Sequence, residues 1–184
     1  MIFSRSKISD VIIIKPQIIL DERGNFFECV KKKSLDEFIG EQINFVQENE
    51  SFSSKGVLRG LHYQLDPFGQ SKLVRVVQGS ILDIAVDIRK SSPTFGEYIS
   101  KELNDVNKTQ LFIPKGFAHG FVVLSENALI SYKVDNYYSP IHERGIAYND
   151  SELNIDWRIS KKNILLSQKD KTYPQLSNAN NLFA

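Results

Sequence analysis

The chain has 184 residues, 23 of them Lys or Arg and 22 Asp or Glu, for a formal charge of +1. That balance excludes the broad cationic field by which a protein attracts nucleic acid or an anionic membrane surface. With 41% hydrophobic and 24% charged residues the composition is globular rather than disordered, and the length suits a single domain over residues 1–184. One cysteine, Cys29, leaves no internal disulfide and so no stapled secreted scaffold. The opening MIFSRSKISDVIIIKPQIIL breaks its apolar run at Lys15 and Pro16 and lacks an A-x-A-like cleavage site. It reads as neither a signal peptide nor the ~20-residue apolar span of a membrane helix. A soluble cytoplasmic protein is the expectation.

In chain order, Val11–Leu20 and Asn25–Val30 are the first runs rich in Val, Ile, Leu and Phe. Ser34-Leu35-Asp36-Glu37 then has the form of a capping box, with Gly40 placed to end a helix of roughly two turns. Ile43–Asn49 follows, and within it Gln47 and Asn49 share a strand face because i and i+2 point the same way. Lys72–Gln78 and Ile81–Ile88 flank Gly79-Ser80, which reads as a two-residue hairpin connection. In Ile81–Ile88 the residues Leu82, Ile84, Val86 and Ile88 share one face, and Asp83 and Asp87 the other. Glu97–Leu103, Gln110–Ile113, Ala118–Leu124 and Ala128–Asp135 complete the series. Short strands with Gly, Asn, Asp or Pro between them argue for a β-sandwich or barrel. The last 25 or so residues have weak periodicity and are expected to drape over the sheets. The chain is mainly β.

The chain holds three histidines, His62, His119 and His142. An isolated histidine is more often structural than catalytic. His62 and His119, however, lie in strand-like segments between glycines, where a backbone can approach a ligand closely. A metal site in a small barrel commonly uses two histidines one residue apart, with a carboxylate and a third His. Tyr63 and Gln64 follow His62, so that pair is missing and no metal is expected. A second constellation is cationic and polar: Arg23, Gln47, Asn49, Arg59, Lys72 and Lys169. Any one cation is by default a solvated surface charge, and Lys169 alone reads so. Arg59 differs, because it stands in an apolar run where a guanidinium needs an anion, and its planar fork suits phosphate. Strict alternation puts Arg59 and His62 on opposite faces, so a shared pocket requires a bulge near Gly60. The third constellation is aromatic. Tyr132 shares a strand face with Ile130 and Val134, and Tyr138 follows in the next turn. A packed tyrosine and a general acid are equally good readings of Tyr132 at this point.

These segments together resemble the dTDP-4-dehydrorhamnose 3,5-epimerase family, cupin-fold enzymes acting on sugar nucleotides. The resemblance runs from about Asp21 to Asp170. It is carried by Asp21-Glu22-Arg23-Gly24 with Phe27-Glu28, by Gln47-Glu48-Asn49-Glu50-Ser51 and by residues 56–64 (GVLRGLHYQ). Lys72-Leu73-Val74-Arg75, residues 83–89 (DIAVDIR), Ser92-Pro93-Thr94-Phe95-Gly96 and residues 113–121 (IPKGFAHGF) continue it. Tyr132-Lys133, Tyr137-Tyr138, Trp157 and Leu166-Ser167-Gln168-Lys169-Asp170 close it.

The resemblance implies a cupin-type antiparallel β-barrel, or jelly roll, with a few short helices, built as a homodimer and needing no cofactor. The implied substrate is a nucleotide-linked 4-keto-6-deoxyhexose inverted at C3 and C5, as in dTDP-L-rhamnose biosynthesis. Position by position, His62 matches the base, Asp170 its carboxylate partner, Tyr132 the acid and Lys72 the cation near the C4 oxygen. Arg23, Glu28, Gln47, Asn49, Arg59, His119, Glu143 and Lys169 match ligand-contacting positions, and Tyr138 an aromatic near the substrate.

The residue types suit that chemistry. A C4 ketone acidifies C3–H and C5–H because the carbanion spreads into an enolate oxygen, which an ammonium stabilises best where water is excluded. Histidine, with an ordinary pKa of ~6.5, is available as a base near neutral pH, and a carboxylate behind it fixes its tautomer. Tyrosine can return a proton from the other face. The ligand's own negative charge explains why the +1 balance suffices. Rival readings are a 3-epimerase or 5-epimerase, a 3,4-ketoisomerase, a metal-dependent cupin oxygenase, and a sugar-nucleotide binding module without activity.

Overall fold

In the computed structural model, which describes residues 1–180, 182 and 183, the strands sort into two large antiparallel sheets and one small hairpin. The first sheet has the order β1 (Ile2–Arg5), β2 (Ile12–Lys15), β10 (Gln110–Ile113), β7 (Lys72–Gln78), β12 (Asn127–Val134) and β5 (Gln47–Ser54). The second has the order β13 (Glu143–Gly145), β6 (Leu58–Gln64), β11 (Phe117–Val123), β8 (Ser80–Asp87) and β9 (Tyr98–Asn104). The hairpin pairs β3 (Ile19–Asp21) with β4 (Gly24–Phe26). This is the mainly β, antiparallel architecture expected of a cupin-type fold.

Alternation along these strands builds three apolar layers. Val74, Val76, Leu111 and Ile130 from the first sheet meet Ile81, Ala85, Phe117, Phe121 and Val123 from the second in the central core. The outer face of the second sheet, including Leu82, Ile84 and Val86, is covered by Ile146, Leu153, Trp157 and Leu176. The closing segment therefore drapes over a sheet as its weak periodicity implied, with 3-10 turns at Lys161–Asn163, Asp170–Thr172 and Leu176–Asn178. The outer face of the first sheet, with Ile12, Ile14 and Leu73, is covered by Leu35 and Phe38 of α1 (Lys32–Ile39). Each such aliphatic side chain removed from water contributes roughly 1.5–3 kcal/mol.

Five local expectations need correction. The helix starts at Lys32 with Lys31 as N-cap and no side-chain cap, so Ser34 lies inside it and the capping box does not form. A Lys32–Asp36 ion pair one turn apart occupies the carboxylate instead, and Gly40 ends the helix in the left-handed region (φ +92°) as expected. Val11–Leu20 is broken after Lys15, just ahead of Pro16, into β2 and β3, which belong to different sheets. Asn25–Val30 is strand only as far as Phe26, and Ile43–Asn49 becomes strand only at Gln47, from which β5 runs on to Ser54. Gly79-Ser80 is not a hairpin, since β7 and β8 lie in different sheets. It is a corner at which the chain crosses between sheets, and a Cβ on Gly79 (φ +82°) would stand 2.1 Å from the Asn127 carbonyl oxygen. Among the described residues, no helix is long and apolar enough to cross a membrane.

Candidate active site

The cavity begins at the bulge foreseen near Gly60. On β11, His119 and Phe121 are two apart, whereas their partners on β6, His62 and Arg59, are three apart. The extra residue on β6 turns Arg59 and His62 into the same cavity, which alternation alone forbids. Gly60 makes this possible: its φ is +133°, and a Cβ there would lie 2.5 Å from the Gly120 Cα. A cleft of about 580 Å³ opens at this end of the inter-sheet space, lined by β5, β6, β7, β11 and β12.

His62 stands at the centre of one wall, paired in register with His119 on β11 and Gly145 on β13. Its Nε2 lies 2.6 Å from Asp170 Oδ1, and Asp170 is 4% exposed at the start of a 3-10 turn. The other ring nitrogen is left free of protein partners among the described residues. Tyr132 comes from the opposite sheet, in register with Asn49 and Val74. Burial pushes its phenol above the ordinary value, Glu143 adding to the rise and Arg59 opposing it. Lys72 opens β7, with its Nζ 3.5 Å from the His62 carbonyl oxygen. Burial lowers its ammonium to about 8, although the carboxylates of Asp83 and Glu143 partly hold the proton on.

His119 lines the same cavity, and its Nε2 meets Asp83 Oδ2 at 2.9 Å. Burial drives its pKa down against the Asp83 charge, so the ring is neutral at pH 7. Arg59 donates from Nε to Ser53 Oγ at 3.2 Å, leaving its terminal nitrogens for an anion. Gln47 Nε2 donates to Asn49 Oδ1 at 2.8 Å, the same-face pair expected from their spacing. Tyr138 donates its hydroxyl to Glu143 Oε2 at 2.5 Å, and Lys169 ion-pairs with that same oxygen. Burial works against the Glu143 charge, but Lys169 and the Tyr138 hydroxyl outweigh it and hold the carboxyl below its usual range.

The cavity thus gathers His62, Lys72, Tyr132, Gln47, Asn49, Arg59, His119, Tyr138 and Glu143. Asp170 and Lys169 line an adjoining cleft that shares Arg59, His62 and Glu143 with it. Arg23 and Glu28 lie elsewhere in the protomer. Arg23 sits at the tip of the β3–β4 hairpin, paired with Asp21 at 2.5 Å, and Glu28 lines a groove with Ile19 and Phe26. His142 packs against Phe68 with ring centroids 4.4 Å apart and bonds Ser139 Oγ, outside the cavity lining. Sequence reasoning passed over Gln64, Gln70 and Phe121 as cavity residues, and Asp83 as the partner of His119. The alternation of Asp83 away from an apolar face was the signal for the last.

Among the described residues, no three His, Cys, Asp or Glu side chains are grouped as metal ligands are. A family model described as dTDP-4-dehydrorhamnose 3,5-epimerase matches residues 5–178. The chain belongs to this family. It is 53% identical over 166 residues to the dTDP-4-dehydrorhamnose 3,5-epimerase of Shigella flexneri, covering 90% of this chain and 91% of that one. The crystal structure of the Elizabethkingia anophelis dTDP-4-dehydrorhamnose 3,5-epimerase superposes with a TM-score of 0.94 at 46% identity, over 98% of both chains. A Legionella pneumophila dTDP-6-deoxy-D-glucose-3,5-epimerase, solved with dTDP-4-keto-L-rhamnose, gives 0.93 at 46% identity, over 97% of this chain and 94% of that one. The epimerase family and the cupin-type fold, both expected from the motifs, therefore stand.

Proposed function

We propose that the protein, as one catalytic domain over residues 1–184, converts dTDP-4-keto-6-deoxyglucose to dTDP-4-keto-rhamnose by inverting C3 and C5. His62 removes the proton from C3 or C5 through the ring nitrogen that Asp170 leaves free. The C–H electron pair moves into the ring and the C4 carbonyl becomes an enolate, whose oxygen the Lys72 ammonium stabilises. Tyr132 delivers a proton to the opposite face of the carbon, leaving His62 as imidazolium and Tyr132 as phenolate. Both reset by exchange with solvent before the second carbon reacts. The high phenol pKa of Tyr132 keeps it protonated until a far stronger base, the enolate carbon, is beside it.

Arg59 and Lys169 hold the diphosphate by charge-assisted hydrogen bonds, and the exposed ring of Tyr138 offers a face to the nucleotide end. The observation that carries this reading is His62, backed by Asp170, on one sheet and Tyr132 on the other, across a single cavity that Lys72 also lines. Incubation with dTDP-4-keto-6-deoxyglucose in deuterated water, followed by NMR, is expected to show deuterium entering at both C3 and C5. Absence of exchange in folded protein would remove the epimerase mechanism. Exchange at one carbon only would replace it by a 3-epimerase or 5-epimerase reaction.

The cytoplasm, where nucleotide sugars are made, is the proposed location. A homodimer is proposed as the working state. The β3–β4 hairpin carries exposed Ile19, Leu20 and Phe26 beside Arg23 and Glu28, an apolar and charged surface that a second copy would cover. Light scattering at micromolar concentration is expected to give twice the chain mass, and a monomer mass would overturn the dimer.

A further inference from the structure

Residues 135–142 connect β12 to β13 without a strand or helix of their own, yet they carry Tyr138 to the cavity mouth. Such a segment must find partners for its main-chain groups by another route. Three glutamine side chains provide them. Gln64 Nε2 donates to the carbonyl oxygens of Phe68 at 2.8 Å and Tyr137 at 3.1 Å, while its Oε1 accepts from Ser139 N at 2.6 Å. Gln47 Oε1 accepts from Tyr138 N at 3.1 Å, and Gln70 Nε2 donates to the Asn136 carbonyl at 2.8 Å. Each residue from 136 to 139 therefore has at least one main-chain group held by a side-chain amide, Tyr137 also donating its N–H to Asn136 Oδ1.

We infer that Gln64 is a positioning residue. It clamps the 136–139 segment to β6, the strand that carries His62, and so sets where the Tyr138 ring stands against the nucleotide. This rests on the reading of Tyr138 as a nucleotide contact. The chemistry at C3 and C5 needs no amide at position 64, but the clamp does. Only a carboxamide presents two N–H donors and an oxygen acceptor in one neutral plane. A carboxylate cannot donate to the Phe68 and Tyr137 carbonyls, and an ammonium cannot accept from Ser139. Gln64 is 4% exposed, so a charge there would also carry the cost of burial. Register adds a second tie: Gln64 pairs with Glu143 on β13, and Glu143 accepts the Tyr138 hydroxyl. Main chain and side chain of Tyr138 are thereby both referred to the β6–β13 ladder.

The test is Gln64→Met, which keeps length and volume but deletes all three hydrogen bonds. KM for dTDP-4-keto-6-deoxyglucose and Kd for dTDP are expected to rise together by about tenfold, with kcat within twofold of the parent. The Gln64→Met/Tyr138→Ala double variant is expected to bind dTDP no more weakly than Tyr138→Ala alone, because the clamp acts through that ring. Unchanged dTDP affinity in Gln64→Met, while Tyr138→Ala weakens it, would overturn the clamp alone. So would a loss confined to kcat, or full additivity in the double variant. Unchanged affinity in Tyr138→Ala would overturn the nucleotide reading of the ring, and the clamp's purpose with it. Should Gln64→Met fail to fold, the half-buried Gln70→Met, which removes one bond to the same segment, is judged by the same criteria with an expected rise of about threefold.

Discussion

Two histidine–aspartate pairs stand side by side on β6 and β11, and they differ in exposure and in where the carboxylate comes from. His62 and His119 are cross-strand partners, and each lies within 3 Å of a buried carboxylate through Nε2. The His62 side chain is 29% exposed and its carboxylate comes from a 3-10 turn far along the chain. The His119 side chain is 9% exposed and its carboxylate comes from the adjacent strand β8. Both rings line the cavity through a side without a protein partner among the described residues, but the first, that of His62, is the more open to solvent. The second, held neutral by burial, supplies a fixed polar surface and places the Asp83 charge near Lys72. Identical residue types thus differ in exposure because their partners come from different parts of the fold.

The largest effect expected from this contrast is at His62. His62→Ala should lower deuterium exchange at both C3 and C5 by about 10³-fold while dTDP affinity by calorimetry stays within twofold. Exchange surviving at the parent rate would shift the base to another group and dissolve the distinction between the pairs. Next comes Tyr132→Phe. Inversion should fall by about 10²-fold, whereas exchange with retention at the carbon facing His62 should persist, since proton removal there does not pass through the phenol. Equal loss of both readouts would make Tyr132 a binding group rather than the acid.

Smaller, and aimed at the buried pair, is the pH response. In the proposed mechanism Lys72 steadies the enolate as an ammonium, and burial lowers its pKa to about 8. The sign follows directly: kcat/KM should be flat just below this value and fall as pH rises through it. Asp83→Asn removes a carboxylate that favours the ammonium, so the falling limb should move to lower pH while dTDP binding is retained. A limb that stays in place would show that Asp83 does not reach Lys72 electrostatically.

Much of this was legible in residue order. Apolar alternation in Ile81–Ile88 foretold both the face that packs under the closing segment and the two aspartates turned away from it. Arg59-Gly60 so close to His62 foretold a bulge, because alternation otherwise keeps the two side chains out of one cavity. Two errors share a cause. Gly79-Ser80 has the form of a hairpin, but whether β7 and β8 pair depends on β11 and β12, which are distant in sequence. Ser34 has the form of a cap, but packing of Leu35 and Phe38 on the sheet, with the Lys32–Asp36 pair, begins the helix three residues earlier.

By itself the amino-acid order determined the β-rich class, the short helix stop at Gly40 and the strand faces, since these follow from side-chain period and local backbone sterics. It also determined the family, since motifs in sequence order need no coordinates. The tertiary structure decided which strands share a sheet and that Asp170 backs His62. It also decided that Arg23 and Glu28 stand outside the cavity of their own protomer and that glutamines carry the segment bearing Tyr138. Those outcomes depend on contacts between residues far apart along the chain, and only the burial of apolar surface in the folded whole selects among them.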